Sequence, residues 1–321
     1  MNYFKHLLSL SLIVLVSSCR PNPPKKNENE KPNIVVIYAD DLGYGDVSSY
    51  GATELITPNF DRIANEGIKF TNGYATSPTC TPSRFSMLSG IYPFRSKRAR
   101  VLPGNAPLLF EVGKQTLPSM LHDAGYFTGV VGKWHLGLGD ENMNWNEEIK
   151  PGPREIGFDY SYVMASTNDR VPSVYVKNHH IDGLDLKDPI EVSYRKNFEG
   201  EPTGKANPEL LKVHPSHGHD RSIHNGISRI GYMRGGKNSL FIDEDMNDDF
   251  LKESVKFVND HKEEPFFLFY SLHQPHVPRV PHPRFAGKSG LGPRGDVILE
   301  ADWAVGEFLN ELDKLGLAEN T

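Results

Sequence analysis

Cysteine is scarce in this chain: two in 321 residues, Cys19 and Cys80. A disulfide-built scaffold is excluded, because such scaffolds need several bridges. Basic charge is not in excess either. Lys and Arg number 35 against 41 Asp and Glu, a formal net charge of -6. That argues against nucleic acid as a partner, since phosphate binding wants a basic face. An anionic small substrate would need local cations or a metal, not a global field. No apolar run reaches the roughly 18 residues that a membrane-spanning helix takes, and no internal repeat is present. What remains, 38% hydrophobic and 24% charged residues, is an ordinary globular composition with enough length for one sizeable core.

The first residues read as an export signal. Lys5 supplies the positive start, residues 7–16 form a short apolar run, and Val16-Ser17-Ser18-Cys19 closes it. That end resembles the bacterial lipoprotein processing site, which implies cleavage before Cys19 and a lipid on it. The expected division is a signal peptide over 1–18, a lipidated, Pro-rich tether over 19–31, and a catalytic domain over 32–321. With Cys19 lipidated, Cys80 has no disulfide partner. An odd thiol in an exported protein points to reactivity, although a small buried residue is the plainer reading.

Residues 34–38 (IVVIY) are a continuous β-branched run, the pattern of a strand buried on both faces. Thr57-Pro58 opens a helix that Gly67 stops. Residues 68–74 read as the next strand, 82–88 and 116–125 as helices, and 127–131 as a strand running into Gly132-Lys133-Trp134-His135. Residues 140–237, rich in Gly, Pro, Asn and His, read as long surface excursions with a few short strands. A helix over 246–261, a buried strand over 266–272 and an amphipathic helix over 296–315 complete the pattern. Strands alternating with helices predict an α/β layer fold with a largely parallel sheet. Such folds place their sites beyond the carboxyl ends of the strands. Three polar clusters sit there: Asp40-Asp41, Lys133 to His135, and His273 to His276.

Cys80-Thr81-Pro82-Ser83-Arg84 carries the chemistry. A helix beginning at Pro82 would bring Arg84 onto the face near Cys80, and its amino end favours negative charge. A nucleophile and its anionic adduct would both be stabilised there.

With C-T-P-S-R, the segments Gly125-Tyr126-Phe127-Thr128-Gly129 through Gly132-Lys133-Trp134-His135-Leu136-Gly137 and Asn33-Ile34-Val35-Val36 through Asp40-Asp41-Leu42-Gly43, the chain resembles the type I sulfatases of the alkaline-phosphatase superfamily. The resemblance runs from about residue 31 to the end. It implies an alkaline-phosphatase-like three-layer sandwich. It also implies that a separate formylglycine-generating enzyme oxidises Cys80 to formylglycine. Hydrated to a gem-diol, residue 80 would attack sulfur with one hydroxyl and expel sulfate with the second, two easier steps in place of one. A thiol has no second hydroxyl to drive release. On the same resemblance, Asp40, Asp41 and residue 80 would hold a divalent cation, calcium or else magnesium, as all-oxygen donors suit a hard ion. Arg84 and Lys133 would hold the diol and the sulfate. His135 would accept the diol proton that starts sulfate release. His276, directly before Val277-Pro278, would protonate the leaving oxygen or bind sulfate, in preference to His273.

An exported lipoprotein of this kind, facing the periplasm or cell surface, implies a sulfated carbohydrate substrate. His214, His217, His219 and His224 lack a clean zinc spacing; loop structure or substrate contact suits them better. Asn168-Asp169-Arg170 is a candidate sugar contact. Relatives of this kind carry a further strand ending in an Asp-Asn pair and then a Lys. The chain stops at Thr321 before these, so the expectation is an incomplete metal site and a cleft open on one side. A phosphatase or phosphodiesterase of the same superfamily is a competing reading, and Ser or Thr would be its nucleophile. A non-catalytic lipoprotein that binds sulfated glycans is another.

Overall fold

In a computed structural model, which describes residues 31–321, ten strands and five α-helices alternate along the chain. The expectations for a signal peptide and for lipidation at Cys19 lie outside the described residues. Strand β1 (Ile34–Tyr38) is followed by helices α1 (Pro58–Glu66), α2 (Cys80–Ser89) and α3 (Leu117–Asp123). Strands β2 (Phe127–Lys133), β3 (Tyr160–Met164), β4 (Tyr175–Lys177) and β5 (His180–Ile181) come next. Two small ribbons then form. Strand β6 (Glu191–Ser193) pairs with β9 (Tyr232–Arg234), and β7 (Ile223–His224) with β8 (Ile227–Ser228). Helix α4 (Met246–His261), strand β10 (Phe266–Ser271) and helix α5 (Gly292–Lys314) complete the domain.

The main sheet has the order β1-β10-β2-β3-β4-β5. The first three pairings are parallel and the last two antiparallel. Strand β10 shows why the structure has three layers. Phe267 and Phe269 join the core shared with Phe85 and Leu88 of α2 and Leu121 of α3. Phe266, Leu268 and Tyr270 join the core shared with Phe250 and Phe257 of α4 and Val305 and Phe308 of α5. A strand alternates its side chains between faces, so an uninterrupted apolar strand needs cover on both sides. Helix α1 is fixed to α5 by its amino end: Asp302 accepts the backbone N–H groups of Asn59 (3.0 Å) and Phe60 (2.8 Å). A carboxylate there satisfies donors that the helix itself cannot.

Three sequence expectations are corrected. Residues 68–74 do not form a strand; they run as exposed turns, with Ile68 at 79%, Phe70 at 70% and Tyr74 at 87% exposure. Their apolar alternation is local, and a strand forms only where a neighbour supplies a ladder. Conversely, the stretch read as surface excursions contains β3, a full sheet member whose Val163 and Met164 have no solvent exposure. Helix α2 also starts two residues earlier than Pro82, at Cys80 itself.

Helix α5 buries an acid. Glu300 is 1% exposed, and burial pushes its carboxyl from the ordinary 4.5 up to about 8, against a hydrogen bond from the His282 N–H. The folded protein therefore binds this proton more tightly than the unfolded chain does. The associated stability is complete below about pH 4.5 and is lost as pH rises through about 8. Glu300→Gln should flatten that part of the stability curve. Above pH 8 the variant should exceed the parent by on the order of a few kcal/mol, as urea unfolding across the pH range would show.

Candidate active site

The parallel register brings four strand ends level: Tyr38 pairs with Ser271, Ser271 with Gly132, and Lys133 with Met164. The segments leaving those ends carry the site. After β1 the Asp40 N–H donates to the Gln274 carbonyl (3.0 Å), which ties the Asp40-Asp41 turn to the segment after β10. After β2, the N–H groups of Trp134 and His135 donate to the carbonyls of Met164 (3.0 Å) and Ala165 (3.2 Å), which prolongs the ladder and holds His135 in place. Asp41 and His135 both take left-handed backbone (φ 62° and 56°), uncommon outside glycine.

Asp40 is the centre of charge. It is 4% exposed and pairs with Lys133 Nζ and, at 3.4 Å, with Arg84 Nη2. Burial would raise its carboxyl. Lys133, then Arg84 and His276, overcome this and hold it well below the ordinary carboxylate range. Arg84, 1% exposed, is fixed in place: its Nη1 donates to the Lys133 carbonyl (2.9 Å) and to Ser271 Oγ, and its guanidinium lies 5.1 Å from the Tyr38 ring centre. Sequence reasoning placed Arg84 beside Cys80 but gave Ser271 no role. The signal was there, a hydroxyl ending an otherwise apolar strand.

Cys80 is the first residue of α2 and half-buried. Asp40, Cys80 and His276 offer ligand atoms that all lie within 4.8 Å of one another. Asp41 stands at the edge of this group, its side chain 47% exposed and its carboxylate 3.9 Å from His276 Nε2. The expected metal set was Asp40, Asp41 and Cys80; the tight group has His276 where Asp41 was expected. With a thiol at position 80 these donors mix O, N and S, a set for a softer ion than calcium. With formylglycine at position 80 the sulfur would be replaced by oxygen, and a hard cation would be held by Asp40, residue 80 and Asp41 at the edge of the group, with the His276 nitrogen beside them.

The imidazoles differ in their protons. His135 Nε2 lies 2.8 Å from the Leu102 carbonyl. A carbonyl only accepts, so Nε2 carries the proton and Nδ1 keeps a lone pair, with no partner among the described residues. Burial, then the charges of Lys133 and Arg170, hold His135 well below its ordinary value. At neutral pH it is an uncharged proton acceptor. His276 Nδ1 donates to the Val277 carbonyl, which leaves Nε2 facing Asp40, Asp41 and Cys80. Burial and Lys133 lower its pKa, while Asp169, Asp40 and Asp41 oppose them. His273 is buried, its ring centre 6.4 Å from that of Phe250, with its pKa lowered to about 3 by burial and the neighbouring His276 and Lys133.

The Asn168-Asp169-Arg170 segment comes to the rim of the site. Asp169 is 2% exposed and pairs with Arg170 (2.6 Å) and with His219 Nδ1 (3.5 Å). The other histidines of that region disperse. His224 bonds Ser173 Oγ (2.9 Å), while His214 and His217 are exposed. A cavity of about 730 Å³ lies away from all of this, beyond the amino ends of β2 and β3 near His122 and Asp159.

Gly132 sets how closely β2 and β10 approach beside Lys133. Its φ is +112°, and an added Cβ would meet the Ser271 carbonyl oxygen at 1.9 Å. Gly132→Ala should cost about 3 kcal/mol or more, because backbone has to move. It should also displace Ser271, which bonds both Arg84 and Lys133. Denaturant unfolding would measure the loss.

The family profile described as Sulfatase matches residues 32–321. An N-acetylgalactosamine-6-O-sulfatase of Bacteroides thetaiotaomicron is 53% identical over 312 residues, covering 96% of this chain and 61% of that protein. Human arylsulfatase D is 33% identical over 345 residues, covering 97% of this chain and 55% of that protein. Among solved structures, one from work on the metabolism of multiple glycosaminoglycans by B. thetaiotaomicron superposes with a TM-score of 0.89 at 54% identity, over 91% of this chain and 61% of that one. A sulfatase from Pseudoalteromonas sp. superposes at 0.61 with 26% identity, over 91% of this chain and 54% of that one. The chain thus spans 55–61% of the length of these two curated relatives. By its profile match and its sequence and structural likeness, the chain belongs to the sulfatase family.

Proposed function

We propose that this chain is the catalytic part of an exported sulfatase that removes the 6-O-sulfate of N-acetylgalactosamine in a sulfated glycan. The observation that carries the reading is the convergence of Asp40, Cys80 and His276 over two buried cations, Arg84 and Lys133. The choice of sugar rests on the 53% identical relative that bears that name. Formylglycine made from Cys80, with calcium held by Asp40 and Asp41, supplies an oxygen nucleophile, a second hydroxyl for release, and positive charge against the sulfate oxygens.

The chain's own groups do the rest. Arg84 and Lys133 are positioned to bind a sulfate over residue 80, where burial strengthens each interaction. His135, uncharged and with Nδ1 unpaired, takes a proton from residue 80. His276 Nε2 hands a proton to the leaving sugar oxygen once its ring is doubly protonated, a state that burial and Lys133 oppose overall and that Asp169, Asp40 and Asp41 partly restore. A maturation enzyme acting on Cys80, a lipid on Cys19 and a location at the periplasmic or outer surface complete the proposal.

The test is sulfate release by the protein that carries this chain, co-produced with a sulfatase-maturating enzyme. N-acetylgalactosamine 6-sulfate should be hydrolysed in preference to the 4-sulfate and to aryl phosphates. Preference for a phosphate ester would replace this reading with the phosphatase one.

A further inference from the structure

Directly after His276 the chain runs through Val277-Pro278-Arg279 and walls a cavity of about 310 Å³. His219 and Arg294 of α5 line it as well. The cavity adjoins the catalytic cluster. His219 contacts Asp169, whose charge reaches His276, and Arg279 feels the carboxylate of Asp41.

The two arginines are not equivalent. Arg294 is committed, with both Nη atoms on the Asp46 carboxylate at 2.5 Å. Arg279 is not. Its Nε donates to the Pro275 carbonyl (2.9 Å), which orients the guanidinium, and no described carboxylate lies within ion-pair distance of it. Its Nη groups therefore present free donors from a half-buried position. Burial and the charge of Arg294 both work against its own charge. An oriented, partly desolvated guanidinium beside a second cation is matched by an oxyanion, which takes two parallel N–H donors. The scissile sulfate is not that anion, because Arg84 and Lys133 already meet it at the strand ends.

We propose that this cavity receives a second oxyanion of the saccharide, a carboxylate or a further sulfate ester near the scissile one, and that Arg279 binds it. The proposal rests on the sulfatase reading of the neighbouring site. It makes the substrate a polyanionic glycan rather than a singly sulfated sugar.

The experiment measures saccharide binding by calorimetry in Cys80→Ala protein, where nothing is turned over, with and without Arg279→Gln. Four probes are used: N-acetylgalactosamine 6-sulfate, the same sugar with a second sulfate, the same sugar joined to a uronate, and the unsulfated uronate disaccharide. Arg279→Gln should weaken the doubly anionic probes on the order of tenfold and leave the 6-sulfate within twofold. Arg279→Lys should recover part of the loss. Whichever doubly anionic probe loses affinity identifies the source of the anion. Equal losses on all probes, or no loss on any, would overturn the assignment. Failure of the sulfatase reading looks different: the 6-sulfate then fails to bind at all. The unsulfated uronate disaccharide still decides the matter, because it needs only the cavity. If Arg279→Gln weakens neither that probe nor the doubly sulfated sugar, the assignment falls.

Discussion

Replacing Cys80 with alanine should abolish sulfate release while leaving the fold in place. The two effects separate for a physical reason. Residue 80 is half-buried at the first position of α2, and alanine is the best helix former, so stability should change by no more than about 1 kcal/mol. The chemistry, by contrast, loses its nucleophile. Loss of a nucleophile costs on the order of 10⁴-fold or more in turnover where it has been measured. On the proposed reading the remaining groups, Arg84, Lys133, His135 and His276, would still bind and polarise a sulfate but have nothing to transfer it to. Sulfate release and urea unfolding on the same preparation check both halves. A variant that kept full turnover would remove residue 80 from the mechanism.

Asp40→Asn should be the most destabilising single change in the site. Asparagine keeps the shape but removes the charge that compensates Lys133 and Arg84, each 1% exposed. Breaking a buried ion pair from one side costs roughly 3–5 kcal/mol, because the partner's charge is left buried and unpaired. The variant should also lose the acid sensitivity that Asp40 confers. The Asp40 carboxyl is held well below its ordinary 3.8 in the folded protein. Its stabilising share is therefore complete above about pH 4 and is lost only as pH falls through the depressed folded value. Parent and variant stability curves should converge at low pH and part at neutral pH. Curves that ran parallel would mean that Asp40 is not the counter-charge.

Much of this was legible in the sequence, and the boundary has physical causes. Residues 266–271 announce a strand covered on both faces because every position is apolar or aromatic until Ser271. The polar residues at the strand ends stand out against such runs, which marked the clusters Asp40-Asp41, Lys133 to His135 and His273 to His276 before any geometry; the preference for His276 over His273 came from the family resemblance. Local pattern misled where tertiary pairing decides. Residues 68–74 alternate like a strand yet find no ladder, whereas Tyr160–Met164 is short and lies among Gly and Pro, yet is fixed between β2 and β4. Long-range charge pairing was out of reach. Nothing near Lys133 in sequence shows that it meets Asp40, 93 residues earlier, or that Asp169 meets His219. The same holds for Arg279, whose standing depends on Arg294 being taken by Asp46.

The central claim is that the working nucleophile is a modified Cys80, and mass spectrometry of the peptide containing residue 80 tests it most directly. In protein co-produced with a maturation enzyme, that peptide should appear in a lighter form that reacts with an aldehyde-trapping reagent, in proportion to the sulfate released per molecule. An unmodified thiol at Cys80 throughout, in a preparation that still hydrolyses sulfate esters, would contradict the account.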